Sequence, residues 1–279
     1  MIQILAGNLN FGPGKVFKNL TAGLDLLNVD YVVNPNSLDP TSPCYCLSPH
    51  PFLLSHPHLM SIGPNICVLP IDMDVVMEQR YKNFIVPCKW VYDKCARWLP
   101  KEKIKIWPVG IDTGQFKPSY EKSNDCLIYV KNRSEHEVEA AKKLVQRSGH
   151  SYKVIEYGSY KEAEFIDLVR KSVFCFVVGN TESQGIALQE IMSCNVPLFV
   201  WDKTKWDHRG PEFEVDATTV PYWNDKCGAK FSTKSDNPLP ELKLHFRIFC
   251  QNLSKYQPRQ YILENLNLGK QAKEFCDIS

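Results

Sequence analysis

Short apolar runs alternate with amphipathic stretches along the first two hundred residues. MIQILA reads as a strand, and Val16, Phe17, Leu20, Leu24 and Leu27 recur at the spacing that lines one face of a helix. DYVV at 30–33 is a second short strand. NICVLP reads as a strand, FIVPCKWVYDKCARWL as a strand and a helix closed by Pro100, and KIKIWP as a last strand of this half. Residues 34–65, rich in Pro, Ser, His and Asn, show no clear period.

WPVGIDTGQFKPSYEKSN then lacks periodicity and carries two Gly and two Pro, which marks a linker. A regular series follows. DCLIYVK is a strand, and SEHEVEAAKKLVQRSG is a helix opened by a capping box of Ser134 and Glu137 and stopped by Gly149. SYKVIEY, SVFCFVVG and PLFVW are strands, separated by the helices KEAEFIDLVRK and SQGIALQEIMSC. Such alternation predicts an α/β protein whose parallel sheet is covered on both faces. Residues 202–237 read as a long loop and 238–276 as two closing helices.

The chain's 279 residues are long for one compact α/β domain and short for two full ones. Its 33 basic and 31 acidic residues give a net charge of +2, so bulk charge points to no nucleic-acid partner. No stretch reaches the roughly 18 apolar residues of a membrane span. The N-terminus lacks the basic and apolar regions of a signal peptide. The cysteine count is odd at eleven, and Cys67, Cys126, Cys175 and Cys194 sit in apolar runs. Buried thiols in a cytoplasmic protein explain that better than disulfides. The sequons at Asn19, Asn132 and Asn252 carry no meaning there.

The most informative stretch is SVFCFVVGNTESQGIALQEIMSCNVPLFVWD. A buried strand ends at Gly179, a polar turn follows, and a helix opens near Ser183–Gly185. In an open parallel sheet, ligands sit beyond the carboxyl ends of strands, where helix N-termini offer free N–H groups to anions. Glu182 lies in that turn. Glu190 lies on the helix between its neighbours Ile186 and Cys194, at the apolar edge. A carboxylate there could accept two hydrogen bonds from ribose hydroxyls. It could equally be a boundary charge, with Glu182 favoured only by the helix dipole.

ESQGIALQEIMSCNVPLFVWD resembles the E-x7-E segment of family 4 (group 1) glycosyltransferases, usually E-x-F-G-x-x-x-x-E-A-M-A-C-G-x-P-V-V. Upstream, WPVGIDTGQFKP resembles that family's interdomain P-N-G-V-D-x-x-x-F-x-P. The resemblance makes Glu182 the carboxylate near the donor sugar and Glu190 the ribose ligand. Gly185 and Ile186 offer backbone N–H groups to the diphosphate and sugar, with Ser183 and Gln184 as further donor-binding positions. Gln184 stands where the family has an aromatic. Asn195 replaces a glycine, and asparagine tolerates the left-handed backbone.

Metal-free members of the family supply cations after the first strand of the second domain. Lys131 and Arg133 occupy that place, though the family's spacing is different. The loop GNLNFGPGKVFKNL resembles the family's glycine-rich first loop, with Gly12 and Gly14 admitting close approach to the donor and Lys15 adding charge. It is not a dinucleotide fingerprint, because Phe17 stands where the third glycine belongs.

Three other constellations have simpler readings. Asp72-Met73-Asp74 imitates a D-x-D metal motif but sits where a helix cap is expected. Cys44, Cys46, His50, His56 and His58 cluster without zinc-ligand spacing. One of these histidines could line the cleft, as a histidine does in the family. The polar, aromatic stretch from Trp201 to Gly228 could border an acceptor site or be a surface excursion.

The resemblance implies a GT-B architecture of two Rossmann-like domains, a compact one over 1–112 and a donor-binding one over 113–279, with the final helix crossing back onto the first. It implies a retaining hexosyl- or pentosyltransferase that needs no metal or other cofactor. The donor would be a UDP- or GDP-type nucleotide sugar held in the cleft between the domains, and the acceptor a glycan, a lipid or another hydroxyl. Two other readings stay open: an NAD-dependent oxidoreductase and a non-catalytic nucleotide- or glycan-binding module.

Overall fold

The computed structural model describes residues 1–7, 9–66, 80–206, 214–235 and 237–278. It divides into two compact units, Met1–Gly110 with Leu266–Ser279, and Ile111–Asn265. The expected boundary at 112 and 113 thus lies two residues on, and the last stretch of the chain belongs to the first unit.

The first unit is built on a parallel sheet of β1 (Ile2–Leu5), β2 (Tyr31–Val33), β3 (Cys44–Cys46), β4 (Met60–Ile62), β5 (Phe84–Val86) and β6 (Ile104–Ile106), ordered β2-β1-β3-β4-β5-β6. Its neighbouring strands pair in parallel. Helix α1 (Phe11–Leu26) follows β1, α2 (Phe52–Ser55) follows β3, and α3 (Lys89–Cys95) follows β5. Two strands, β3 and β4, lie in the stretch that carried no readable period. Each is three residues long and buried on both faces, so neither offers the alternation by which strands are recognised. Of NICVLP, Asn65 and Ile66 are described and lie outside any strand; Cys67 and Asp72-Met73-Asp74 fall outside the described residues.

The second unit carries β7 (Asn124–Lys131), α4 (Glu135–Arg147), β8 (Tyr152–Glu156), α5 (Glu162–Lys171), β9 (Ser172–Gly179), α6 (Ile186–Ser193) and β10 (Leu198–Trp201). These match the expected series closely. The capping box forms as anticipated, with Ser134 accepting from the Glu137 backbone. Asn195 takes the left-handed conformation at φ 57°.

The long loop expected over 202–237 is interrupted by structure. A two-stranded antiparallel ribbon pairs β11 (Lys205–Trp206) with β12 (Val215–Asp216), and β13 (Gly228–Phe231) joins the main sheet as its edge. GAKF has one apolar residue of strand-forming type, so only pairing with β10 makes it a strand. The two expected closing helices are three, α7 (Leu239–Gln251), α8 (Pro258–Asn265) and α9 (Leu268–Cys276), because Pro258 and the Asn267 cap divide the run.

The sheet order is β13-β10-β9-β7-β8. One face packs Ile128, Val130, Phe174, Phe176 and Phe199 against α4 and against Phe246 and Phe249 of α7. The alternate residues Leu127, Tyr129, Cys175 and Val177 point the other way and are buried too, so the sheet is covered on both sides.

Helix α9 returns to the first unit, and small residues let it come close. A Cβ on Gly23 of α1 would stand 2.8 Å from the Ala272 Cβ, and one on Gly110 would stand 2.7 Å from the Leu268 Cα. Phe275 packs between Tyr45 and Trp107, with ring centroids 4.4 and 4.8 Å away. Trp107 donates its indole N–H to the Gln271 carbonyl at 2.8 Å, and Tyr45 its hydroxyl to that of Ile278 at 2.6 Å.

Candidate functional site

In the second sheet β7 has β8 on one side and β9 on the other, so successive connections leave in opposite directions. The gap between the carboxyl ends of β7 and β9 is the switch point at which α/β sheets bind ligands. Lys131 and Gly179 are register partners there. The chain leaves β9 through Asn180–Gln184 and enters α6 at Gly185, whose φ is +67°. A side chain on Gly185 would be strained by that φ and would touch the Pro221 ring at 3.4 Å.

Lys131 and Glu182 meet across the switch point, Nζ to Oε1 at 2.6 Å, with only 20% and 12% of their side chains exposed. The Lys131 ammonium also lies 3.9 Å from the centre of the Tyr157 ring. Burial raises the Glu182 carboxyl above the usual range, and the lysine works against that rise. The turn itself is pinned from outside. The Glu182 N–H donates to the Thr218 carbonyl at 3.0 Å, and Thr219 donates its N–H to Asp202 at 2.7 Å. The segment left as a possible surface excursion therefore holds the turn in shape.

Glu190 is 1% exposed, on a helix buried along nearly its whole length. The boundary position expected from its spacing is an interior one. Its charge bears on Tyr160, whose hydroxyl is raised first by burial and next by Glu190. Tyr160 also stacks on Phe165 at 4.9 Å and shares a hydrogen bond with Tyr129. Ser183 and Gln184 are half-buried in the same turn, and Gln189 donates its side-chain amide to the Gln184 carbonyl. Thus Lys131, Glu182, Ser183, Gln184, Gly185, Ile186 and Glu190 gather at one sheet end.

Arg133 does not join them as a phosphate cation. Its guanidinium side chain is 1% exposed and grips Glu137 twice, at 3.0 and 2.7 Å. It also donates to the carbonyls of Gly179 at 2.8 Å and Trp201 at 3.0 Å. These bonds tie the ends of β9 and β10 to the first turn of α4, so the residue is a brace. Burial acts to raise the Glu137 carboxyl, but Arg133, Ser134 and Lys203 outweigh it and hold that pKa down at about 2.

Gly12, Gly14 and Lys15 belong to the first unit. They lie in the opening turns of α1 rather than in a loop, since the helix starts at Phe11. Gly14 has no room for a side chain, because its Cβ would fall 2.0 Å from the Leu9 carbonyl oxygen; among the described residues, a Cβ on Gly12 would meet nothing within 4 Å beyond its own helix and chain neighbours. The first sheet has its own switch point between β1 and β3. There Gly7 donates to Ser48 Oγ at 2.9 Å, and a Cβ on Gly7 would fall 1.8 Å from the Pro49 oxygen. Of the clustered histidines, His50 therefore stands at that sheet end. Its Nδ1 accepts the Phe52 N–H at 3.2 Å, which leaves Nε2 to carry the proton when the ring is neutral.

Cys44 and Cys46 are buried in β3, where burial pushes their thiols up to about 11 and about 12. Cys126, Cys175 and Cys194 are buried and free as expected. Among the described residues no three His, Cys, Asp or Glu side chains gather as a metal cage, and no helix is long and apolar enough to cross a membrane.

Tyr129, Tyr157, Tyr160 and Thr218 are members of the site that sequence reading missed. The three tyrosines could have been found by their position, since Tyr129 lies near the end of β7 and the others follow its neighbour β8. Thr218 had no local signal, because it arrives from a distant segment.

The sequence matches no protein-family model and no curated protein. Its structure resembles those of several solved proteins. AviGT4, a glycosyltransferase involved in avilamycin A biosynthesis, is 12% identical with a TM-score of 0.60 over 100% of this chain and 96% of its own. The lipopolysaccharide outer core galactosyltransferase WaaB is 13% identical with a TM-score of 0.62 over 99% of this chain and 98% of its own. A UDP-GlcNAc 2-epimerase from Methanocaldococcus jannaschii is 13% identical with a TM-score of 0.54 over 99% and 98%. The chain shares their fold, two Rossmann-like units of the GT-B type.

Proposed function

We propose that this chain is a glycosyltransferase that takes a sugar from a nucleotide-diphosphate sugar and passes it to a hydroxyl acceptor with retention and without a metal. The observation that carries the reading is the Lys131–Glu182 pair at the β7/β9 switch point, in the turn that leads into α6, the helix that carries buried Glu190. One place thus offers a cation and helix N–H groups for a diphosphate, a carboxylate for ribose hydroxyls and another for the sugar.

Chemically, the bond from the sugar's anomeric carbon to the diphosphate oxygen breaks as the acceptor oxygen bonds to that carbon on the same face. The acceptor's proton passes to the leaving diphosphate, so no protein nucleophile is needed. Lys131 and the α6 N–H groups stabilise charge that grows on the leaving group, where preorganised donors act most strongly. Glu182 orients the sugar.

A thermal-shift panel of UDP-, GDP- and ADP-sugars tests the donor site. A ligand at a hundredfold excess over its Kd adds about 2.7 kcal/mol of stability. If none raises the melting temperature, the reading fails. Products then separate the activities. Released nucleoside diphosphate with a sugar on the acceptor supports transfer, while an epimerised but uncleaved nucleotide sugar points to the other chemistry seen on this fold.

A further inference from the structure

Three tyrosines border the switch point, and one of them has a ring to spare. Tyr129 is buried in the sheet, and half-buried Tyr160 stacks on Phe165 at 4.9 Å. Tyr157 is 39% exposed. Among the described residues its one ring partner is the Lys131 ammonium, 3.9 Å from the centroid, and its hydroxyl makes no hydrogen bond. Backbone bonds fix where that ring stands. Val130 of β7 is the register partner of Glu156 of β8, and the Tyr157 N–H extends the ladder by donating to the Val130 carbonyl at 2.9 Å. The Ser159 N–H then closes a turn on the Glu156 carbonyl at 3.0 Å, with Gly158 at φ +84°. Among the described residues, a Cβ on Gly158 would meet nothing within 4 Å beyond its chain neighbours, so the space beside the ring is open. A bare aromatic ring on a fixed turn is a platform for another flat group.

We propose that Tyr157 is the platform on which the donor's base stacks, and that this base is a purine. The proposal rests on the donor-site reading given above and adds the class of nucleotide to it. A nucleotide sugar runs in a fixed order of base, ribose, diphosphate and sugar. Tyr157 stands on the β8 side of Lys131, and the Glu182 turn leaves from β9 on the other side. The base and the sugar therefore fall at opposite ends of a diphosphate held at Lys131. Glu190, the ribose ligand of that reading, bears on Tyr160, three residues beyond Tyr157. A base in van der Waals contact with the far face of the ring would lie about 7 Å from the ammonium, a gap that a ribose bridges between a base and its first phosphate. An acceptor belongs at the other end, since it must reach the sugar.

The choice of a purine follows from the lysine behind the ring. A cation against one face draws the ring's electrons toward it and leaves the other face poorer in them. Such a face suits a broad, electron-rich base. Two fused rings also cover more of the tyrosine than a single pyrimidine ring does, and preferences among stacked bases come from stacking strength. Tyr157 thus discriminates by area and polarisation and needs no hydrogen bond to the base.

Calorimetric titration of the full chain with ADP, GDP, UDP and CDP tests this. The better purine should bind about tenfold or more tighter than either pyrimidine. Tyr157→Phe should keep that ratio. Tyr157→Leu should weaken the purine by about ten- to a hundredfold in Kd and bring the ratio toward one. Tyr157→Trp, with a wider ring, should keep or raise the ratio, and it guards against a leucine variant that misfolds. If Tyr157 serves only to hold Lys131, Tyr157→Leu weakens all four diphosphates alike and the ratio stands. That result, or a native chain that binds UDP or CDP as tightly as the purines, overturns the platform and leaves the donor site standing. If none of the four binds the native chain, the donor site falls and the platform with it.

Discussion

Arg133 and Glu137 stand one helical turn apart and join through paired N–H···O bonds of 3.0 and 2.7 Å, while the same guanidinium holds the Gly179 carbonyl. The helix that opens beside the site is thereby fastened to the strand whose end carries the Glu182 turn. Arg133→Ala should cost about 1.5–3 kcal/mol, since it leaves two strand-end carbonyls without that donor and the half-buried Glu137 carboxylate with only Ser134 and Lys203. Arg133→Lys should recover little, because an ammonium cannot reproduce the planar fork. Denaturant unfolding checks both. A large loss of nucleotide affinity with unchanged stability would contradict the bracing role.

That pair also shapes the response to acid. The folded pKa of Glu137 is depressed from 4.5 to about 2, so its contribution is complete above the unfolded pKa and lost as pH falls toward the folded one. Solvent screening of this partly exposed carboxylate cuts the stake to about 1–2 kcal/mol, read by melting temperature from pH 5 to pH 2. Glu137→Gln should flatten that part of the curve.

Lys131→Met should lower kcat by about a hundredfold or more while leaving the fold intact near neutral pH, if the ammonium meets charge that develops on the leaving group. Removing it also takes the Lys131 cation from Glu182. Because the Glu182 carboxyl is already raised by burial, the variant's stability should be highest in acid and fall as pH rises through that pKa. Melting curves between pH 5 and pH 9 show whether the slope has this sign.

Glu190→Gln keeps the shape of a buried side chain and removes its charge. Ribose hydroxyls held by an ionised acceptor should then bind more weakly by about 1.5–3 kcal/mol, roughly ten- to a hundredfold in Kd. Calorimetry with a free nucleoside diphosphate reads this without needing the acceptor. Unchanged affinity would remove Glu190 from the ligand.

At Gly185 the left-handed backbone forbids an ordinary side chain. Gly185→Ala should cost about 1–2 kcal/mol from conformation alone, with crowding of Pro221 added. Because the strain falls at the start of α6, donor affinity should drop along with the melting temperature. Loss of stability without loss of affinity would place the glycine outside the site.

The second unit was legible in the sequence because its strands and helices are long and regular, and its two glutamates lie on one short segment. Apolar spacing fixed β7, β9, α4 and α6, and the turn before α6 followed from the crevice rule. The first unit was legible only in part. Three-residue strands such as β3 and β4 have no period to read, and their neighbours in the sheet define them. Tertiary structure alone decided which cation faces the switch point. Lys131 and Arg133 are two residues apart and equal in charge, but the chain sends one beside Glu182 and the other into a cage of Glu137 and two carbonyls. Local sequence holds no record of Gly179, Trp201 or Thr218 arriving at that place. Those contacts form only when β9, β10 and the segment after β12 are laid beside β7, so the job of each charge was settled by packing and not by residue type.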